Sequence, residues 1–308
     1  MTSAPSVVFD EITTIIDDEV ILHRLSFEVP AGEVTVLMGP SGAGKTTLIG
    51  HLVGLKEPDG GTITVAGRDI WEFTRDEWRK FRQSVGAMIG GSYQVHTSTF
   101  GSLSIVENLV YTLGVLGVPD GDRQPRALER LRELDLAADA NLLPAELPAH
   151  AVKRAALARA LVTDAPLIIL DEIDLGLDVQ HSEKMIDALR GLRSRADCTI
   201  LLTTHSIDLA KTIADKVAIL SHGRIVAYGP PGNVLAGVNT AEDFRQVFEF
   251  QRSAPPLTVA DVEGNLDRRA RQEPTEVRKS ADPAMIKLAI VLLILVVATL
   301  LALHAGLI

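Results

Sequence analysis

Cysteine is nearly missing from this sequence: Cys198 is the only one in 308 residues. That excludes an internal disulfide and suits a reducing compartment. Cys198 precedes the apolar run Thr199 to Leu202 and reads as core filling rather than as a redox centre. A basic excess is missing as well, since 30 Lys and Arg stand against 40 Asp and Glu, for a formal net charge of -10. Nucleic-acid binding needs a basic face, so that class of function is excluded as a general role. Met1 to Asp10 contains no basic flank followed by an apolar stretch, and no signal peptide is expected there. No repeat at solenoid periods is present.

The one long apolar run is at the far end. Leu288 to Leu303 carries no charge, and with Met285, Ile286 and the residues to Ile308 the stretch reaches about 20 to 24 positions, enough for a helix to cross a bilayer. A core helix of a soluble domain carries a polar stripe, which this one lacks, so a transmembrane helix is expected over 283–308. Arg278, Lys279 and Lys287 precede it and only His304 follows. The positive-inside rule then puts the bulk of the chain on the cytoplasmic side of a cell membrane, held by a single-pass C-terminal anchor.

Between the ends, short strands are expected at Val7 to Phe9, Val20 to Leu22 and Leu25 to Val29, then at Glu33 to Met38 and Thr62 to Val65. Glu72 to Arg82 reads as helical, and from about Val85 to Leu161 the pattern turns largely helical. Strand signals return at Leu167 to Leu170, Thr199 to Thr203 and Val217 to Leu220, with helices at Ser182 to Arg193 and Ile207 to Ala214 between them. Alternation of this kind predicts an α/β fold with a mostly parallel sheet core, antiparallel N-terminal strands and a helical subdomain over about 85–161. Residues 251–282, rich in Pro, Arg, Glu and Asp, read as a linker between a domain over 1–250 and the anchor.

The chemistry starts at Gly39-Pro40-Ser41-Gly42-Ala43-Gly44-Lys45-Thr46-Thr47, which matches G-x-x-x-x-G-K-[ST] between an apolar strand and a helix. Its glycines let backbone N–H groups turn inward around phosphates. Lys45 brings a point charge to the β- and γ-phosphates, the Thr46 hydroxyl can ligate Mg²⁺, and the helix N-terminus adds its dipole. Leu167 to Glu172 supplies the acids: Asp171 to hold the Mg²⁺ shell, and Glu172 to polarise an attacking water. ATP and Mg²⁺ are the expected cofactors, and ATP hydrolysis the expected reaction.

From about Val7 to Leu235 the chain resembles the nucleotide-binding domain of ABC transporters, a P-loop NTPase fold. The phosphate loop, the acidic strand end, Leu175-Gly-Leu-Asp178 just after it and Leu202-Thr-Thr-His205 at the next strand end carry the likeness. The resemblance implies that His205 contacts the γ-phosphate and helps position water, and that Asp178 lies near the site of a second subunit. It makes Gln94 the candidate for the glutamine that reaches nucleotide and metal, although counting from Gly86 puts Gly90 at that position instead. Arg154-Ala-Ala-Leu-Ala-Arg-Ala-Leu161 resembles the helix after the family signature. With the ending from Ile225 to Phe248, it is most similar to the ATPases of Mce/Mla-type lipid transporters.

Three departures qualify this likeness. Leu-Ser-Gly-Gly-Gln of the family stands here as Leu147-Pro-Ala-His-Ala151, where Pro148 has neither hydroxyl nor N–H, and Ala149 and His150 replace glycines. His150 reads as an exposed loop residue. The aromatic that stacks on adenine in the family falls at Ile15 or Ile16, leaving aliphatic contact at best. The proline that usually follows the acid pair is Ile173. The family sandwiches two ATPs between two such domains, so this chain keeps its own phosphate site while offering its partner a poor signature. That asymmetry favours pairing with a different ATPase subunit over a homodimer, alongside separate permease subunits. The competing expectation is a membrane-tethered, nucleotide-responsive regulator with little turnover.

Overall fold

The computed structural model describes residues 4–90, 99–173, 186–187, 189–191 and 198–248. Gln94, Asp178, the linker 251–282 and the apolar block 283–308 lie outside the described residues, as does most of the helix expected over Ser182 to Arg193. The described residues all fall in one compact unit, within Met1–Asp267. No helix among the described residues is long and apolar enough to cross a membrane.

Two sheets form the frame. The N-terminal one is antiparallel in the order β2-β1-β4-β5, from β1 (Val7–Ile16), β2 (Glu19–Val29), β4 (Gly60–Val65) and β5 (Arg68–Asp69). The first two strands form one long hairpin where three short strands were expected. Register shifts between Phe9 and Ile15 bend it, and Asp17 and Asp18, both at positive φ, make its two-residue turn. The bulges break the period-two alternation by which a strand of this length would have been read.

The second sheet has six strands in the order β10-β9-β3-β8-β7-β6: β3 (Val34–Met38), β6 (Val85–Met88), β7 (Leu167–Leu170), β8 (Thr199–Thr203), β9 (Lys216–Ser221) and β10 (Arg224–Gly229). All its pairings are parallel except β9 with β10. Strands β3, β7 and β8 are buried on both faces, which explains their uninterrupted apolar sequence. Strand β6 departs from the helical pattern expected from Val85 onward. Its four residues alternate in burial and pair with β7, a segment too short for periodicity to separate strand from helix.

Helix α1 (Lys45–Leu52) follows the phosphate loop, and His51 at its far end is fully buried, its Nε2 2.7 Å from Thr14 Oγ1. A short 3-10 turn (Ile70–Glu72) and α2 (Arg75–Gln83) replace the single helix expected from Glu72. The break falls at Thr74, whose hydroxyl accepts from the Glu77 N–H while the Glu77 carboxylate accepts from the Thr74 N–H. These bonds, with Arg68 beside them, hold the Glu77 carboxyl down at about 2.

Three helices form the lobe after β6: α3 (Ile105–Val115), α4 (Asp120–Glu133) and α5 (Ala149–Leu161). Ser104 and Glu107 form a second capping box at the start of α3. Asn108, 1% exposed, ties the preceding loop to that helix through bonds to Phe100, Leu103 and Ser104. Helices α6 (Ile207–Ile213), α7 (Pro231–Val234) and α8 (Ala241–Phe248) complete the described chain.

Candidate functional site

Parallel strands deliver their C-terminal ends to one edge of a sheet, and here β3, β7 and β8 bring the predicted groups together. Strand β3 leads into the phosphate loop. Gly39 is fixed there by packing: a Cβ on it would stand 2.1 Å from the Leu220 carbonyl oxygen of β9. Gly44, at φ 103, starts α1, a backbone state that an L side chain rarely takes. Gly39, Ala43, Gly44 and Lys45 are buried, Pro40 and Thr47 half-buried, and Ser41, Gly42 and Thr46 exposed. Lys45 is 4% exposed, and its Nζ donates to the carbonyls of Gly39 at 2.8 Å and Pro40 at 2.9 Å. The ammonium thus sits folded over the loop, at the position where phosphate oxygens would replace backbone ones.

Asp171 caps β7 and is fully buried. One carboxylate oxygen accepts from the Thr46 hydroxyl at 2.9 Å and the other from the Thr203 hydroxyl at 2.7 Å, while its N–H donates to the Met88 carbonyl at 2.8 Å. Thr203 in turn accepts from the Glu172 N–H at 2.7 Å. One hydroxyl therefore fixes both acids. Glu172 adopts φ 50, a left-handed state that costs a non-glycine residue about 1–2 kcal/mol. Its carboxylate Oε1 stands 3.8 Å from His205 Nε2, with side chains 18% and 35% exposed respectively. A carboxylate and an imidazole side by side and partly exposed, beside a phosphate loop, can orient and deprotonate a water.

Mg²⁺ fits the donor set. A hydroxyl and a fully buried carboxylate lie within one hydrogen bond of each other. No group of three or more His, Cys, Asp or Glu that could hold a metal ion by itself converges among the described residues, at this site or another. Few protein ligands, with phosphates and waters for the rest, is the arrangement this ion prefers beside a nucleotide.

The sequence reading brought Lys45, Thr46, Asp171, Glu172 and His205 to one place. It missed Thr203, although Leu202-Thr-Thr-His205 was in view. The signal for it is a hydroxyl at the end of a strand that pairs with the acidic strand in register, Leu170 opposite Leu202. It also missed Lys153, whose Nζ donates to the Glu172 carbonyl at 3.0 Å. Gly90 follows β6 at φ 107 and has no side chain to offer nucleotide or metal. Ile15 and Ile16 end β1, half-buried and 38% exposed respectively, as aliphatic surface.

At the signature position, Pro148 is the N-cap of α5 and makes no side-chain cap. A Ser, Thr, Asn or Asp there would contribute about 1 kcal/mol. His150 lies half-buried in the first turn of that helix rather than on an exposed loop. The helix forms without its cap because its body is buried almost all round, from Ala151 to Leu161.

Phosphate loop, acid-capped strand one position further along the sheet and parallel core define a P-loop nucleotide-binding protein. A model of the family described as ABC transporter matches residues 22–174. The methionine import ATP-binding protein MetN of Corynebacterium jeikeium is 30% identical over 265 residues, covering 85% of this chain and 71% of that one. MetN of Brucella abortus is 32% identical over 235 residues, 76% of this chain and 62% of its own length. The chain thus spans about three fifths of that relative. Among solved structures, the dimeric ATP-binding cassette MJ0796 in a post-hydrolysis state bound to ADP and Pi is 25% identical. It superposes with a TM-score of 0.67 over 73% of this chain and 98% of that one. The chain belongs to the ABC transporter family, as one of its ATP-binding cassettes.

Proposed function

We propose that this chain is the ATP-hydrolysing subunit of an ABC transporter, coupling ATP binding and hydrolysis to movement of a substrate through separate permease subunits. One observation carries the reading: Thr46, Asp171, Thr203 and Glu172 form a continuous chain of hydrogen bonds beside the phosphate loop. The Mg²⁺-side and water-side groups are thereby set relative to one another. Lys45 binds phosphate charge, Thr46 and Asp171 hold Mg²⁺, Glu172 takes the proton of the attacking water, and His205 orients it. Mg²⁺ supplies charge neutralisation at the phosphates when bound.

A permease is the partner that the surface supports. A groove of about 680 Å³ lies between α2, α3 and α5, walled by Arg75, Arg79 and Arg82 on one side. Phe100, Tyr111 and Val115 on the other are 43%, 53% and 55% exposed. The second ATPase subunit is proposed to be a different chain, because Pro148 leaves the signature position without a capping group. Lipid is the proposed cargo class, on the likeness of Arg154 to Leu161 to the Mce/Mla-type ATPases. The names of the relatives above refer instead to methionine import.

Turnover by the full-length protein, purified with the subunits that accompany it, tests this reading. ATP hydrolysis should require Mg²⁺, stop with a chelator and rise with lipid vesicles rather than with methionine. Nucleotide binding without turnover in that preparation would favour the regulator. In the same assay, placing Ser-Gly-Gly-Gln at positions 148–151 should change the rate little if the partner is a different chain. A homodimer would instead gain roughly two orders of magnitude, the scale of about 2–3 kcal/mol of recovered transition-state stabilisation.

The C-terminal block is proposed to anchor the chain with its ATPase domain on the cytoplasmic side. In cells lacking the permease, the full-length protein should sediment with membranes, and the chain ended at position 284 should not. A full-length protein found in the supernatant there removes the anchor.

A further inference from the structure

We propose that Lys153 is a positioning residue for ATP hydrolysis, its ammonium holding the Glu172 backbone in the left-handed turn that sets the carboxylate beside His205. The inference rests on Glu172 acting on the attacking water, as proposed above.

Lys153 lies in the second turn of α5 and is 3% exposed. An ammonium taken out of water needs acceptors, and a lysine that could have reached solvent along its flexible stem is instead kept inside. Its Nζ donates to the Glu172 carbonyl at 3.0 Å. That carbonyl belongs to a non-glycine residue at φ 50, a state that persists only where the surroundings over-determine it.

Three hydrogen bonds restrain this turn. Ahead of the turn, the Asp171 N–H is held by Met88. Within it, the Glu172 N–H is held by Thr203 and the Glu172 carbonyl by Lys153. Thr203 acts from the neighbouring strand and is committed to Asp171 as well. Lys153 acts from α5, a separate element, and pins the far side of the same peptide pair. With both restraints, rotation about Glu172 is blocked at each end. Without the ammonium, the carbonyl is free to turn and φ to relax into the right-handed or extended region, carrying the carboxylate away from His205. The phosphate-binding ammonium is held within its own loop, by the Gly39 and Pro40 carbonyls, and Thr46 bonds to the Asp171 carboxylate, one residue ahead of the carbonyl that Lys153 holds.

The test uses the full-length protein with its accompanying subunits, reading ATP affinity and turnover separately. Lys153→Met keeps the length and apolar bulk of the side chain and removes the donor. It should bind ATP within about twofold of the parent, keep its KM, and lose at least about tenfold in kcat. Lys153→Arg, which keeps a cationic donor, should restore most of the rate. If the methionine variant does not fold, Lys153→Gln supplies the comparison with a neutral polar side chain and the same expected split. Parental kcat in Lys153→Met, or a parallel loss of ATP binding and turnover, overturns the proposal. Glu172→Gln run alongside separates the two levels. If it is inactive while Lys153→Met is fully active, the positioning role alone fails; if it turns over at the parental rate, the reading of Glu172 fails first.

Discussion

Lys45→Ala should abolish nucleotide binding while leaving the fold in place. The ammonium is buried and held over the loop by two of its carbonyls, a desolvated charge that phosphate oxygens can take over. Deleting one partner of such a buried charge contact costs about 3–5 kcal/mol, roughly 10²- to 10⁴-fold in Kd. Calorimetry with Mg-ATP reads this directly. A thermal melt gives an independent check, because a ligand that binds only the folded state raises the melting temperature by mass action. ATP should raise the melting temperature of the parent and leave that of the variant unmoved. A variant that still binds ATP with parental Kd would show that the loop's N–H groups suffice and that Lys45 is not the phosphate anchor.

Glu172→Gln should keep binding and lose turnover by about 10²- to 10⁴-fold, the range contributed by a positioned general base. The amide matches the carboxylate in size and accepts the same left-handed backbone, so the Thr203 and Lys153 bonds to its peptide groups remain. What it lacks is a site to take a proton from water. The variant should therefore accumulate in the ATP-bound form, measurable as unhydrolysed nucleotide retained after rapid desalting. Parental release of phosphate would place the base elsewhere, with His205 next in line on its 3.8 Å approach to the Glu172 carboxylate.

The phosphate loop and acidic strand end were legible because each is a contiguous run with a fixed job, flanked by apolar strands of unmistakable character. Thr203 and Lys153 were not, for a reason of geometry. They act on Asp171 and Glu172 across 32 and 19 positions of chain respectively, and nothing local marks a threonine or a lysine as reaching that far. The strands were found wherever burial on both faces made them continuously apolar. Strand β6, at the sheet edge and four residues long, was lost to the helical pattern around it. The long N-terminal hairpin was read in pieces because its bulges reset the alternation. The start of α2 was misplaced by one turn of chain, although Thr74-x-x-Glu77 is a capping signature that sequence alone displays. At the signature position the substitutions themselves could be read, but the helix they begin owes its existence to burial further along, which no local rule conveys.

The left-handed backbone of Glu172 also sets the protein's long-term tolerance to change. Glycine at that position would relieve about 1–2 kcal/mol of conformational strain, and asparagine part of it. A lineage or a laboratory screen selected for heat resistance alone is thus drawn toward replacing this acid, and every such replacement forfeits the group proposed to act on water. Where robustness and turnover pull one codon in opposite directions, only continued demand for work keeps the acid in place.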